Sequence, residues 1–403
     1  MYWAWGIMCY NRGMKKNIKK IGIDARFYGS VGKGLGRYTQ EVVDNILALD
    51  NENEYVIFLS KENFTGFKSD NPRVKKILTG ARWYTLAEQI IMPYLVWREG
   101  LDLMHWPHFN VPIFCSVKFV VTIHDLILTK FPTTRATTLG PLFYRIKNWG
   151  YKLVIYLAVK RARCVVAVSR FTKDDIVKQF KVDKKKIVVT YEGVSKLSQT
   201  KYFDDDKEAF LRYNINKPFL LYVGNAYPHK NLEGLIKNFF RLHKSEPDLK
   251  LVLVGKEDYF YKRVQKYANS LWTNDKNKNP VIFPGFIPDR ELAILFKKAR
   301  AYIFPSFYEG FGLPPLEAMS YGCPVVSSDS SSLPEVLGQS ALYFRSEDEE
   351  DMLAKIKKII KDESLRQELI VKGYKQAKKY SWEECAHETL EIYRKILQDE
   401  KKE

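Results

Sequence analysis

The chain has 403 residues, 46% of them apolar and 14% aromatic; this excludes a disordered polymer and exceeds one ordinary core, so two domains of about 200 residues each are expected. A formal charge of +18 favours anionic partners of three kinds: nucleic acid, an acidic membrane surface or phosphorylated small molecules. Five cysteines, Cys9, Cys115, Cys164, Cys323 and Cys385, have no close pair and no zinc spacing, which predicts free thiols in a reducing compartment.

Residues 1–13 are aromatic-rich and lack the basic flank and sustained apolar stretch of a signal peptide. The lysine-rich segment from Met14 leads into a strand pattern, so residues 1–19 read as an extension outside the fold. No apolar run reaches the roughly 18 residues that a membrane-spanning helix needs. Short β-branched runs predict strands at 21–25, 55–59, 119–123, 164–168 and 187–190, then at 219–223, 251–254, 281–283, 301–304, 324–328 and 341–344. Helical periodicity fills the gaps, as at 38–49, 232–243, 291–299 and 352–360. The alternation predicts an α/β protein of two Rossmann-like domains, each a parallel sheet with helices on both faces. A polar, weakly periodic stretch at 196–217 separates domains at 20–195 and 218–380. Ser381 and Glu384 form a capping-box pattern before an apolar-periodic helix over 381–403, which needs a surface to pack on. Ligands of such sheets bind outside the carboxyl ends of the strands, here in a cleft between domains.

Two glycine-rich segments point to that cleft. Gly29, Gly32, Gly34 and Gly36 follow the first strand and precede a helix. Either they form a plain turn, or they bring backbone and a helix N-terminus close to a diphosphate. The second segment follows the strand at 301–304 and reads Glu309-Gly-Phe-Gly-Leu-Pro-Pro-Leu-Glu317. Its glycines and prolines forbid one continuous helix. Glu309 is therefore expected in a loop, and Glu317 in the first turn of the next helix. Gly312 and Leu313 would offer N–H groups to phosphate, while the carboxylates accept hydrogen bonds from sugar hydroxyls.

These residues, in the context PSFYEGFGLPPLEAMSYGCPVVSSDSSSLPEV, resemble the two-glutamate motif of glycosyltransferase family 4. LLYVGNAYPHKNLEGLI (220–236), LVLVGK (251–256), FPGFIPDRELAILF (283–296), GKGLGRYT (32–39), VTIHDL (121–126), AVSRFTKDDI (167–176) and YEGV (191–194) extend the resemblance over nearly the whole chain after residue 20. The resemblance implies a GT-B fold, with the final helix crossing back to the first, acceptor-binding domain. It implies retaining hexosyl transfer from a nucleotide sugar, with no metal and no other cofactor. By the same resemblance Glu317 holds the ribose hydroxyls, Glu309 contacts the donor sugar, and Phe311, Gly312 and Leu313 offer N–H groups. Lys230 neutralises the diphosphate beside Gly224 and Asn225, and Gly34 and Gly36 close on it from the other domain. His124 lies near the sugar, and the backbone of Gly285, Phe286 and Ile287 bonds the base. One departure stands out: many members place an arginine where this chain has Asn225, with His229 before Lys230. That leaves a second diphosphate cation unassigned, with Arg263 and Lys33 as candidates.

His105 and His108 are alternatives for ligand contact or for packing beside the cleft. Between Lys130 and Lys186, fifteen Lys and Arg face three acids, Asp174, Asp175 and Asp183, with Phe131, Phe143, Tyr144, Trp149, Tyr151 and Tyr156 interleaved. This stretch is either a solvated basic face or a contact with an anionic membrane that presents a lipid-linked saccharide acceptor. A cytoplasmic enzyme, peripheral at the inner face of the cell membrane, is the resulting expectation. Mannose from GDP-mannose is the first expectation for the donor, since the motif context resembles bacterial mannosyl- and rhamnosyltransferases of surface polysaccharides; UDP-glucose and dTDP-rhamnose are the alternatives. From another class, a basic non-catalytic binding or scaffold protein is the competing reading. No nucleic-acid recognition motif is present.

Overall fold

The structure is a computed structural model, and it describes residues 18–29, 33–131, 141–194, 212–215, 218–272 and 279–399. Strands β1 (Lys20–Asp24), β2 (Glu54–Leu59), β3 (Val74–Leu78), β4 (Leu103–Trp106), β5 (Phe119–Ile123), β6 (Cys164–Ala167) and β7 (Ile187–Val189) form one sheet. Its order is β3-β2-β1-β4-β5-β6-β7, and every neighbouring pair is parallel. The second sheet contains β8 (Phe219–Val223), β9 (Lys250–Val254), β10 (Val281–Gly285), β11 (Ala301–Phe304), β12 (Val325–Ser328) and β13 (Ala341–Phe344). Its order is β10-β9-β8-β11-β12-β13, again all parallel. In both sheets the order reverses next to the first strand, so adjacent loops diverge there and leave a crevice at the carboxyl ends.

All-parallel sheets need both faces covered, and the central strands are accordingly buried, with β4, β5, β6, β11 and β12 buried at every residue. Two strands were not expected from the sequence. β4 is only four residues, LMHW, and carries a histidine. β3 is an edge strand whose exposed lysines break the apolar pattern. His105, on β4, is fully buried; its Nε2 lies 3.0 Å from Thr122 Oγ1 and its Nδ1 2.5 Å from Tyr393 Oη. Burial, aided by repulsion from His124, pushes its pKa down to about 3. It is a core group and not a ligand contact.

Tyr393 lies on the last helix, Trp382–Asp399, which packs against the first domain's helix Lys33–Leu49. The chain therefore crosses between the domains twice. The two crossings touch: Val194 N–H donates to Tyr380 O at 3.2 Å, and a Cβ on Gly193 would stand 2.1 Å from Trp382 N. The linker at 196–217 lies mostly outside the described residues, as does Cys9; Cys115, Cys164, Cys323 and Cys385 are buried free thiols. Among the described residues no helix is long and apolar enough to cross a membrane.

Candidate active site between the domains

The loop after β11 is held by side chains at and just past the carboxyl end of the neighbouring parallel strand, β12. Ser328 Oγ donates to Ser306 O, Glu309 N–H donates to Ser331 Oγ, and Ser332 Oγ donates to both Glu309 O and Phe311 O. Phe307 N–H donates to His229 O at 2.8 Å, tying the loop to the turn that carries Lys230. Lys230 Nζ then meets Glu309 Oε1 at 2.5 Å, both side chains about nine-tenths buried. Their close contact satisfies two charges that would be costly alone at this depth.

Gly312 follows in a left-handed conformation, φ 98°, and starts the helix Leu313–Ser320. The first N–H groups of a helix have no carbonyl one turn back. Here Pro314 and Pro315 have none to offer, so Gly312 and Leu313 supply the helix's open donors, at its positive end. Glu317 is the fifth residue of this helix and sits in its second turn, not the first as expected, because the helix already begins at Leu313, ahead of both prolines. Burial pushes its carboxyl up to about 7; Arg37 pulls the other way, while Asp289 and Glu192 add to the rise. The expected base-binding segment, Gly285, Phe286 and Ile287, lies at the end of β10, just ahead of Asp289. Within that segment Gly285 O accepts from Gly255 N–H, Phe286 is exposed and Ile287 is buried.

The first domain closes on this loop. Ser169 Oγ and Thr172 Oγ1 donate to Gly310 O at 2.6 and 3.1 Å, and a Cβ on Gly310 would lie 1.8 Å from His124 O. Glu335 of the second domain accepts from the N–H groups of Arg170 and Phe171, at the start of the helix Arg170–Phe180, and from Tyr191 Oη. Tyr308 Oη donates to Asp175 at 2.5 Å. His124 Nε2–H donates to Pro107 O at 2.9 Å while Nδ1 lies 3.1 Å from Glu192 Oε1. Burial lowers the His124 pKa, but Glu192, the Pro107 carbonyl and Asp125 outweigh it and leave it raised. Both ring nitrogens are thus engaged within the first domain, and the residue meets the second domain through its carbonyl.

The other expected residues fall around this centre. Gly224 donates to Val254 O, and Asn225 O accepts from Tyr222 Oη. Burial, with Lys230 next to it, pushes His229 down to about 4, so it is neutral near pH 7. Gly34 and Gly36 are already helical, because the helix begins at Lys33, earlier than expected. A Cβ on Gly36 would stand 2.0 Å from Gly29 O, so its glycine serves the packing of its own loop; Gly34 faces open space. Of the two candidate second cations, Arg263 is paired with Glu233 at 2.8 Å, and the Lys33 side chain lies outside the described residues. Among the described residues no group of three His, Cys, Asp or Glu is placed to hold a metal.

Residues 33–196 match the family described as Glycosyltransferase Family 4, and residues 203–376 match Glycosyl transferases group 1. The O-antigen chain mannosyltransferase RfbU of Salmonella typhimurium is 33% identical over 277 residues, which are 69% of this chain and 70% of that protein. The chain is a family 4 glycosyltransferase. This glycosyltransferase is also 28% identical over 382 residues to O-antigen chain mannosyltransferase B of Escherichia coli, covering 90% of this chain and 96% of that one. Its GT-B fold is shared with sucrose-phosphate synthase from Thermosynechococcus elongatus, at TM-score 0.73 and 19% identity over 94% of this chain and 100% of that one. WaaG, a glycosyltransferase involved in lipopolysaccharide biosynthesis, superposes at TM-score 0.70 and 14% identity over 93% and 99%.

In this glycosyltransferase the sequence reading missed Arg37, whose Nη1 reaches Glu317 Oε1 at 2.5 Å from the opposite domain. It also missed Glu192, the partner of His124, and the closure contacts at Gly310. Their signals were present but mute: Arg37 directly follows Gly36 in the glycine-rich segment, and Glu192 lies in YEGV.

Proposed function

We propose that the enzyme transfers a hexose, mannose first, from GDP-mannose to a saccharide or lipid-linked saccharide acceptor in cell-surface polysaccharide synthesis, with retention at the anomeric carbon. The buried Lys230–Glu309 pair beside the open N–H groups of Gly312 and Leu313 carries this reading. A diphosphate seated there meets a fixed cation and the positive end of a helix, both aimed at the charge that grows as it departs. Glu309 accepts hydrogen bonds from the donor sugar, and Glu317 from the ribose. The names of the relatives, O-antigen chain mannosyltransferases, support the choice of mannose and of a surface polysaccharide.

The bond from the anomeric carbon to the phosphate oxygen breaks, and the acceptor oxygen bonds to the same face of that carbon. The acceptor's hydroxyl proton passes to the departing phosphate oxygen. Glu309, held by Lys230, is a hydroxyl clamp and not a nucleophile. Contact of Gly310 with Ser169, Thr172 and His124 brings the acceptor domain over the donor and excludes water. Lys230 and the helix start do the neutralising, so the reaction needs no metal. The enzyme works at the cytoplasmic face of the membrane, which its basic 130–186 region contacts; Trp149 and Tyr156 are exposed there, while the side chains of Phe143 and Tyr144 lie outside those described.

Thermal-shift measurements with GDP-mannose, UDP-glucose and dTDP-rhamnose test the donor, since a ligand that binds only the folded protein raises its melting point. Stabilisation by GDP-mannose, with release of GDP in the presence of lipid-linked saccharide extract and undiminished by chelator, is expected. No stabilisation and no release with any of the three donors overturns the reading in favour of a non-catalytic protein.

A further inference from the structure

The first sheet reverses its order beside β1, and the strand ends around that point carry groups that the donor site does not use. His124 Nε2–H donates to Pro107 O at 2.9 Å, which ties the carboxyl end of β5 to that of β4. The next residues along, Asp125 and His108, therefore stand at neighbouring strand ends. Asp125 is half-buried. Its Oδ1 accepts from Ile127 N–H at 2.9 Å, and its Oδ2 has no hydrogen-bond partner among the described residues. A Cβ on Gly310 would lie 3.0 Å from the Asp125 Cβ. The open carboxylate oxygen thus belongs to a side chain that borders the residue after Glu309, the group proposed to hold the donor sugar.

His108 begins an aromatic wall. Its ring is 3.9 Å from that of Phe109, which meets Tyr151 at 4.9 Å, and 5.9 Å from that of Tyr84. Asn110 N–H donates to His108 Nδ1, so Nε2 carries the proton and faces Tyr84 Oη at 3.4 Å. The tyrosine's own hydroxyl proton stays available. Tyr84 is the odd member of the wall. Its side chain is 53% exposed, yet its backbone is left-handed, φ 61°, a conformation that a bulky residue adopts only under constraint. The constraint is Glu88, fully buried on Arg26 and Asn110, which accepts from Tyr84 N–H at 2.8 Å. A ring held outward against its backbone preference, and not covered by the core, is strain of the kind kept at binding sites. The wall carries no uncompensated cation. Arg26 is fully buried with its charge met by Asp24 and Glu88, and burial, with repulsion from His124 and Arg26, keeps the His108 pKa well down.

We propose that the acceptor is an uncharged pyranose whose ring lies on Tyr84 and His108 while one of its hydroxyls donates to Asp125 Oδ2. A pyranose has a face of C–H groups, which suits the negative face of an aromatic ring, and an edge of hydroxyls, which suits a carboxylate. A bare lipid phosphate would meet Asp125 as a like charge with no cation to offset it, so the same residues select against it. The hydroxyl bound to Asp125 fixes the rotation of the ring, and with it which neighbouring hydroxyl faces the anomeric carbon. That neighbour still gives its proton to the departing phosphate. Asp125 thereby sets the linkage as well as the acceptor class. The inference rests on the transferase reading above and carries it from the donor to the acceptor.

Saturation-transfer NMR of the full-length protein with methyl α-mannoside, methyl α-glucoside, methyl α-rhamnoside and octyl phosphate tests this, beside thermal shifts with nucleotide sugar. The wild type is expected to bind at least one of the glycosides and not octyl phosphate. Asp125→Asn and Tyr84→Gly should each weaken that binding roughly tenfold, the scale of one charge-assisted hydrogen bond or one stacking partner, and leave the nucleotide-sugar shift unchanged. Tyr84→Phe keeps the ring and should lose less than Tyr84→Gly. The glycine variant should also melt higher than wild type, since glycine takes a positive φ without strain. Octyl phosphate bound in place of the glycosides, no glycoside bound at all, or variants that bind like the wild type overturn the proposal. A lowered melting point in Tyr84→Gly does so too, because it makes the tyrosine a structural residue. Glycoside binding that both variants lose, in a protein that binds no nucleotide sugar, sustains the sugar site and removes the transferase reading.

Discussion

Arg37 of the first domain holds Glu317 of the second at 2.5 Å across the cleft, 280 residues away in sequence. Glu317 is the residue proposed to bind ribose, so the nucleotide must replace Arg37 there. We propose that an arginine released at that point, one residue after Gly36, supplies the second diphosphate cation that Asn225 leaves unassigned. Arg37→Ala should weaken binding of a nucleoside diphosphate roughly ten- to a hundredfold, the worth of a charge-assisted hydrogen bond. Binding of the bare nucleoside should stay equal or tighten, since its competitor is gone. Calorimetric titration with both ligands checks this, and equal weakening of the two would show that Arg37 only shapes the site.

Lys230 and Glu309 make a similar pair within one domain. Lys230→Met should lower the transfer rate by roughly 10²–10³-fold, the usual scale for losing one electrostatic stabiliser of a departing group. It should also lower the melting point, because Glu309 is left charged and buried. The double variant Lys230→Met/Glu309→Gln should recover stability without recovering activity. Rates together with melting curves separate the two effects; recovery of both would mean that the lysine's role is structural.

Gly310 has no room for a side chain. In Gly310→Ala the new Cβ would sit 1.8 Å from a backbone oxygen of the other domain, and backbone does not give way cheaply. Each domain should fold normally and nucleotide should still bind, while transfer falls by about a hundredfold or more, the cost of misplacing groups by an ångström. Small-angle scattering should show a wider particle with donor bound than for wild type; identical profiles and rates would refute the closure contact.

Glu317 predicts a pH dependence. Its carboxyl is raised from an ordinary 4.5 to about 7, so the folded protein favours the neutral form. Its contribution to stability is full below about 4.5 and is lost as pH rises through about 7. Ribose binding runs the other way, since the ionised carboxylate accepts both hydroxyls. Affinity for a nucleotide sugar, whose diphosphate does not titrate here, should climb up to tenfold per pH unit below about 7 and level off above. Glu317→Gln should flatten the profile. A flat wild-type profile from pH 5.5 to 8.5 would contradict the assignment.

The sequence exposed the fold where periodicity is strong. The central strands and the loop between the glutamates were legible, because β-branched runs and the Gly and Pro spacing act locally. β4 escaped because four residues are too few for a pattern, and β3 because edge lysines mask it. Glu317 was set one turn too early, since nothing local says that the helix begins at Leu313, before the two prolines that mark its first turn. Arg37, Glu192 and Gly310 matter through residues on another domain or a distant strand, and a sequence does not display such distances.

The paired crossings at Val194 and Tyr380 have a mechanical consequence. Two chain segments bonded side by side behave like a door hung on two pins, not like a weight on a cord. Such a pairing resists twisting and sliding of one domain against the other more than a single strand of chain would. Gly193, with a neighbouring backbone nitrogen 2.1 Å from where its Cβ would be, keeps the pins close together.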